Sequence, residues 1–184
     1  KIELWTSDGE STGTEVFIDG GKLVKHDNAA YRKGTDITVS QLFFNTPARL
    51  KYMKTIQTEL GHTIGLVNRL ALSHPHIAFK LTHYSQSLLQ TSGSGDQLRV
   101  LADIYGISAA RKMVPFKGEN ADYSTHGYVS LPEMTRASRN YMTTIVNGRW
   151  IQSYAINRAV LDAFHTFLPI GRYPIAVINF NVDP

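Results

Sequence analysis

The sequence predicts an α+β chain in two parts, and three observations lead there. Short alternating runs broken by glycine fill residues 1–44. Apolar residues recur at helical spacing over residues 58–74 and 153–167. A strand-to-helix corner at residues 45–54 joins the two patterns. A run of strands followed by helices alternating with a sheet is the signature of layered α+β architecture.

In the first part, Ile2-Glu3-Leu4-Trp5, Glu15-Val16-Phe17-Ile18 and Lys22-Leu23-Val24-Lys25 read as short strands, and Thr35 to Phe44 as a longer one. Asp19-Gly20-Gly21 predicts a hairpin, because glycine supplies the positive φ that such turns need. Asp8-Gly9 and Ser11-Thr12-Gly13 mark an earlier loop, and the whole reads as one edge of an antiparallel sheet. At the corner, Thr46 is placed to cap a helix through its side-chain oxygen. Pro47 falls at the first helical position, where a missing N–H costs nothing. Arg49, Lys51 and Lys54 would ride on the first turns, and the corner is the expected boundary between domains 1–54 and 55–184.

In the second part, Leu60, Ile64, Val67, Leu70 and Ala71 give an amphipathic helix over Thr58 to His74, ended by Pro75. Ile77 to Tyr84 and Ser87 to Gln90 read as a strand pair, and Asp96 to Tyr105 as a short helix stopped at Gly106. Met113 to Phe116, Tyr123 to Leu131 and Tyr141 to Val146 are further strands. Ser153 to Phe167 is a second amphipathic helix, closed by Pro169 and Gly171, and Ile175 to Val182 is the last strand.

Composition sets bounds. The 184 residues are 42% hydrophobic and 18% charged, ordinary for a folded chain with a real core. Without Cys, disulfides and thiolate metal sites are excluded. No apolar run approaches the roughly 20 residues a membrane helix needs, and the start at Lys1-Ile2-Glu3 lacks a signal peptide's apolar segment. A net charge of +4 and a pI near 9.3 permit a polyanionic partner without requiring one. Both ends read as cut, so a piece of a longer protein is expected.

The chemistry-bearing residues are few. Gly93-x-Gly95 before a helix is a weak phosphate-loop signal. With no Gly-Lys-Ser/Thr and no third glycine in register, Ser94-Gly95-Asp96 reads better as a turn and N-cap. His74-Pro75-His76 and His83 lack the Cys or carboxylate company of a metal site, and His74 suits a helix C-terminus. No residue is assigned a catalytic or metal-ligating role. Arg136 and Arg139 flank a loop, Arg149 ends the Asn147-Gly148 turn, and Arg158 lies on the following helix. Cations that neutralise phosphates release counterions, which gives DNA binding without sequence preference and with steep salt dependence. For any one of them a solubilising charge is the default, and Asn147-Gly148-Arg149 is first of all a tight turn.

The strings themselves add to this. Gly34-Thr35-Asp36-Ile37-Thr38-Val39-Ser40-Gln41-Leu42-Phe43-Phe44-Asn45-Thr46-Pro47-Ala48-Arg49-Leu50-Lys51-Tyr52 resembles the GT-x-V-x-V-x-x-LF-[FY]-NTPAR-x-K-[FY] signature of the MutL family of DNA mismatch-repair proteins. Thr91-Ser92-Gly93-Ser94-Gly95-Asp96 with Ile104-Tyr105-Gly106 resembles its TSG-x-GD and IYG elements. Thr135-Arg136-Ala137-Ser138-Arg139-Asn140-Tyr141 with Val146-Asn147-Gly148-Arg149 resembles its TRA-x-RNY and VNGR elements.

The resemblance implies the end of a GHKL (Bergerat-type) ATPase sheet over 1–54. A transducer domain with a left-handed βαβ crossover, like that of gyrase and ribosomal proteins, would follow over 55–184. It puts Thr35 at the Gly-Thr position of the fourth ATP-site motif, where the hydroxyl helps hold the adenine. The aspartate, Mg-binding asparagine, general-base glutamate and lid of that site would precede Lys1, and the γ-phosphate lysine would follow Pro184. ATP and Mg are therefore expected in the intact parent, with none bound to this chain and no hydrolysis by it alone. The implied parent is a cytoplasmic bacterial homodimer with weak ATPase activity, and some members are also endonucleases. It would couple mismatch recognition by a MutS-type protein to strand incision and excision while binding DNA without sequence preference. Asn45, Thr46, Pro47 and Arg49 would be the interdomain junction, and Arg136, Arg139, Arg149 and Arg158 the DNA-facing cations. Tyr154 stands where some relatives carry an arginine. A type II topoisomerase subunit shares both domains, but the NTPAR string and the absence of a QTK-type loop favour MutL. Basic charge and α+β pattern alone would also suit a non-enzymatic nucleic-acid-binding module.

Overall fold

The computed structural model describes residues 1–182, and the chain divides into two compact units, Lys1–Glu59 and Leu60–Pro184. In the first, β1 (Ile2–Ser7), β2 (Gly13–Asp19), β3 (Lys22–Ala29) and β4 (Gly34–Val39) form an antiparallel sheet in the order β3-β2-β1-β4. Gly20 and Gly21 make the β2–β3 turn with φ of 58° and 87°, the two positive values a two-residue hairpin loop requires. Cross-strand pairing puts Ile2, Leu4, Val16, Ile18, Ile37 and Val39 on one face. That face is not buried among the described residues: Ile37 and Val39 are each 57% exposed.

The strand read as extending to Phe44 leaves the ladder after Val39. Gln41 and Phe43 adopt φ of 49° and 65°, and Phe44 N–H donates back to the Gln41 carbonyl at 3.1 Å, so the chain turns instead of extending. The following helix, α1 (Pro47–Leu50), is one turn long, with Pro47 at its start. Thr46 occupies the N-cap position, but its hydroxyl makes no capping bond. At φ −136°, ψ 70° it falls short of the extended geometry that aims a cap at the first turn. Lys51 and Lys54 lie beyond the helix.

The long helix α2 (Ile56–Ser73) crosses the division between the units. After it come the hairpin β5 (Lys80–His83) and β6 (Gln86–Gln90), then α3 (Gln97–Tyr105) and α4 (Ile107–Ala110). Asp96 caps α3, its carboxylate accepting Leu98 N–H at 2.9 Å. The rest of the unit runs β7 (Met113–Glu119), β8 (Tyr123–Ser130), β9 (Thr135–Arg136), β10 (Met142–Val146), β11 (Arg149–Ile151), α5 (Tyr154–Phe164), β12 (Tyr173–Pro174) and β13 (Ala176–Val182). Helix α5 stops at Phe164 because His165 takes φ 44°, and one 3-10 turn, His165–Phe167, replaces its expected end.

The main sheet has the order β11-β10-β13-β8-β7, and β10 and β13 pair in parallel across a connection that carries α5. Alternation along β13 sorts the core into two layers. Val177, with Ile175 before the strand, joins Ala71 and Leu72 of α2 and Val100 and Leu101 of α3. Ala176 and Ile178 face the other way, against Ile156, Val160 and Leu161 of α5. The sheet is thus sandwiched between helices, and every buried hydrophobic side chain described lies in this second unit.

Candidate nucleic-acid interface

In the first unit, Thr35 sits on β4 opposite Thr6 of β1, hydroxyl to hydroxyl at 2.8 Å, on an exposed surface. Such a hydroxyl can donate or accept. Among the described residues no group of three or more His, Cys, Asp or Glu could hold a metal ion. At the corner, the Arg49 guanidinium lies 4.4 Å over the ring of Phe43, while Asn45, Thr46 and Arg49 line a cavity of ≈ 280 Å³ against the Gly20-Gly21 turn.

The glycine string of the second unit is structural. Phe79 N–H donates to the Thr91 hydroxyl at 2.9 Å, and Gly95 N–H to the Pro75 carbonyl at 3.0 Å. A Cβ on Gly93 would come within 2.7 Å of the Ala78 nitrogen. These bonds splice the segment after α2 to the start of α3.

The four arginines named from sequence do not form one patch. Tyr173 of β12 pairs with Arg136 of β9. The Arg136 guanidinium lies 5.4 Å from the Tyr141 ring and that of Arg139 lies 5.2 Å from the Tyr173 ring, so these two come together. Arg172 joins them, donating from Nε to the Thr135 hydroxyl at 2.9 Å. Arg149 is separate: it pairs with Val146 while its neighbour Trp150 pairs with Ile145, so alternation turns Arg149 toward the α5 side and Trp150 toward the α2 side. Arg158 is occupied, its Nε donating to both carboxylate oxygens of Asp162 at 2.9 and 3.1 Å.

Sequence reading missed a groove of ≈ 530 Å³ on the α2 side of the sheet, lined by Gly61, Gly65, Arg69, Tyr105, Asn140 and Tyr141 among others. The Arg69 guanidinium lies 4.5 Å over the Trp150 ring, and the Tyr105 and Tyr141 rings are 5.8 Å apart. Burial, with Tyr141 adding, pushes the Tyr105 phenol up to about 12, and Arg69 and Arg136 pull the other way. One signal could have found it: Gly61, Gly65 and Arg69 recur at every fourth residue, one stripe of a helix.

Fold and motifs together define a two-unit α+β chain. Residues 101–184 match the family model described as "DNA mismatch repair protein, C-terminal domain". Proteins named DNA mismatch repair protein MutL from Anoxybacillus flavithermus and from Geobacillus sp. are 58% and 56% identical over 100% of this chain, which covers 30% of each. The Aquifex aeolicus MutL ATPase domain complexed with ADP superposes with a TM-score of 0.80 at 20% identity, covering 100% of this chain and 68% of that one. A structure described as the N-terminal domain of a DNA repair protein gives 0.79 at 18% identity over 99% and 60%. The chain belongs to the MutL family of DNA mismatch repair proteins, and it spans about a third or less of the curated relatives' length. Among the described residues no helix is long and apolar enough to cross a membrane.

Proposed function

We propose that this chain is the part of a MutL-type protein that relays nucleotide state from an ATPase domain to a DNA-binding surface. Residues 1–54 are the end of the ATPase domain, with Thr35 as a wall of the adenine site, and residues 55–184 are the transducer. Asn45, Thr46, Pro47 and Arg49 form the junction that responds to ATP. Arg136 and Arg139 contact DNA phosphates, Arg149 contributes from the other face of the sheet, and Arg158 takes part only by exchanging Asp162 for a phosphate. The whole protein is a cytoplasmic homodimer that binds ATP with Mg and closes on DNA. It thereby couples a mismatch-bound MutS-type protein to strand incision and excision.

The observation that supports this most directly is 58% identity across the whole chain to a protein named for mismatch repair. A salt series of DNA binding by the full-length protein, with and without a non-hydrolysable ATP analogue, tests it. Expected are a steep fall of affinity with salt and tighter binding with the analogue. Salt-insensitive binding unmoved by nucleotide would overturn the proposal. Specific ATP turnover by the 184-residue chain alone would refute the assignment of the catalytic groups to other parts of the protein.

A further inference from the structure

We infer that the groove on the α2 side of the main sheet is a phosphate-binding cleft for the nucleic-acid backbone, with Arg69 and Arg136 as its donors. This rests on the DNA-binding reading and deepens it, naming a surface that includes neither Arg149 nor Arg158.

Three independent features converge there. The first is the state of the cations. Among the described residues neither Arg69 nor Arg136 meets a carboxylate within ion-pair distance, whereas Arg158 is held by Asp162, Arg99 by Asp103 and Arg32 by Asp36. Both guanidiniums lie over aromatic rings, Trp150 at 4.5 Å and Tyr141 at 5.4 Å, and Arg136 spends one Nη1 donor on the Thr135 carbonyl at 3.3 Å. A guanidinium stacked on a ring loses rotational freedom yet keeps its edge N–H groups open, the arrangement that suits bidentate phosphate recognition.

The second is the floor. Gly61 and Gly65 lie inside an 18-residue helix, where glycine is disfavoured relative to alanine. No packing demands them: a Cβ at Gly61 would meet nothing within 4 Å, and one at Gly65 only the Arg69 guanidinium at 3.9 Å. Missing side chains on this stripe leave the helix backbone open to close approach, as at surfaces that admit a ligand.

The third is the polar lining. Asn68, Ser138 and Asn140 line the groove of ≈ 530 Å³ with Arg69 and the Tyr105–Tyr141 pair, and Arg136 adjoins it over the Tyr141 ring. Such neutral donors serve phosphate and sugar oxygens, which carry no sequence information. The apolar groove beside α5, lined by Phe116, Ile156, Val160 and Phe180, contains no charged group and suits no polyanion.

The test is a salt series of duplex DNA binding by the full-length protein, with melting followed in parallel. Arg69→Ala should lower the slope of log K against log salt by about 0.9, the share of one lost phosphate contact, and Arg69→Ala with Arg136→Ala by about twice that. Gly61→Leu changes no charge and raises helix propensity, so it should weaken DNA binding by filling the groove while leaving melting unchanged or higher. Arg69→Lys should keep the slope and lose affinity, since lysine retains charge without the planar fork. Unchanged slopes in both arginine variants, or full DNA affinity in Gly61→Leu, would overturn the inference while wild-type binding leaves the broader reading standing. Absence of DNA binding by wild type would sink both. Polyglutamate bound as tightly as DNA, with the same loss in Arg69→Ala, would assign the cleft to an acidic protein instead and overturn it.

Discussion

The two units contain sheets of similar length and opposite energetic character. The strands of the first pair in order from β1 to β3, with β4 returning from the far end of the unit to pair with β1, and none of its described hydrophobic side chains is buried. The second pairs strands distant in sequence, such as β10 with β13, and buries Leu72, Leu101, Ile175 and Val177 to 0% exposure. Strand pairing can lay out a sheet, but only side chains packed against it make it resist substitution. The candidate DNA surface stands on the second kind of support, where guanidinium positions depend on a rigid sheet beneath them.

The comparison can be broken most forcefully at Gly127. A Cβ there would run into the Val177 carbonyl oxygen and meet main-chain atoms that cannot move aside. Gly127→Val should abolish the cooperative melt of the second unit, and a normal thermal transition would disprove the close β8–β13 approach. Next comes a matched pair of truncations. Leu101→Ala should cost about 2–5 kcal/mol in denaturant unfolding, as for other fully buried leucines. Ile37→Ala, on a 57% exposed residue, should stay within about 0.5 kcal/mol. An equal cost at both positions would mean that the first sheet's apolar face is covered in the protein as assayed.

The helix caps sharpen the same contrast. Asp96→Ala removes a carboxylate that accepts Leu98 N–H at 2.9 Å and should cost about 1 kcal/mol. Thr46→Ala removes a hydroxyl with no capping bond and should leave the melting temperature unmoved. The smallest expected effects are in titration. Burial raises Tyr105 to about 12, so its contribution is complete below the ordinary value of 10 and is lost as pH rises from 10 toward 12. Tyr105→Phe should blunt that alkaline loss. Asp8 behaves oppositely: the Glu10 and Ser11 N–H groups hold its carboxyl below 3.8. Its contribution is present above that value and fades as pH falls through the lowered one, which an NMR titration of Asp8 would read. A Tyr105 ring titrating near 10, or an Asp8 carboxyl titrating above 3.8, would contradict the respective environment.

Much of this layout was legible in residue order. Apolar spacing located α2, α3 and α5 to within a few residues, and Asp19-Gly20-Gly21 announced its hairpin. Other features were not. Gln41 and Phe43 end β4 through positive φ, although neither is a residue type that signals it. The two-residue strands β9 and β12 are too short to show a period, yet their pairing brings Arg136 and Arg139 to Tyr141 and Tyr173.

The sequence by itself determined the family, through motifs in which many residue identities recur in a set order, and the local elements, because periodicity and turn chemistry act over a few residues. Only the tertiary structure decided which cations lie near one another. Arg69 and Arg136 are far apart along the chain, yet Arg69 lines the groove beside Tyr105 and Arg136 lies over Tyr141, the neighbouring ring, because α2 and the segment before β10 pack on the same side of one sheet. Arg149 and Trp150 are adjacent along the chain and part because a strand sends neighbouring side chains to opposite faces.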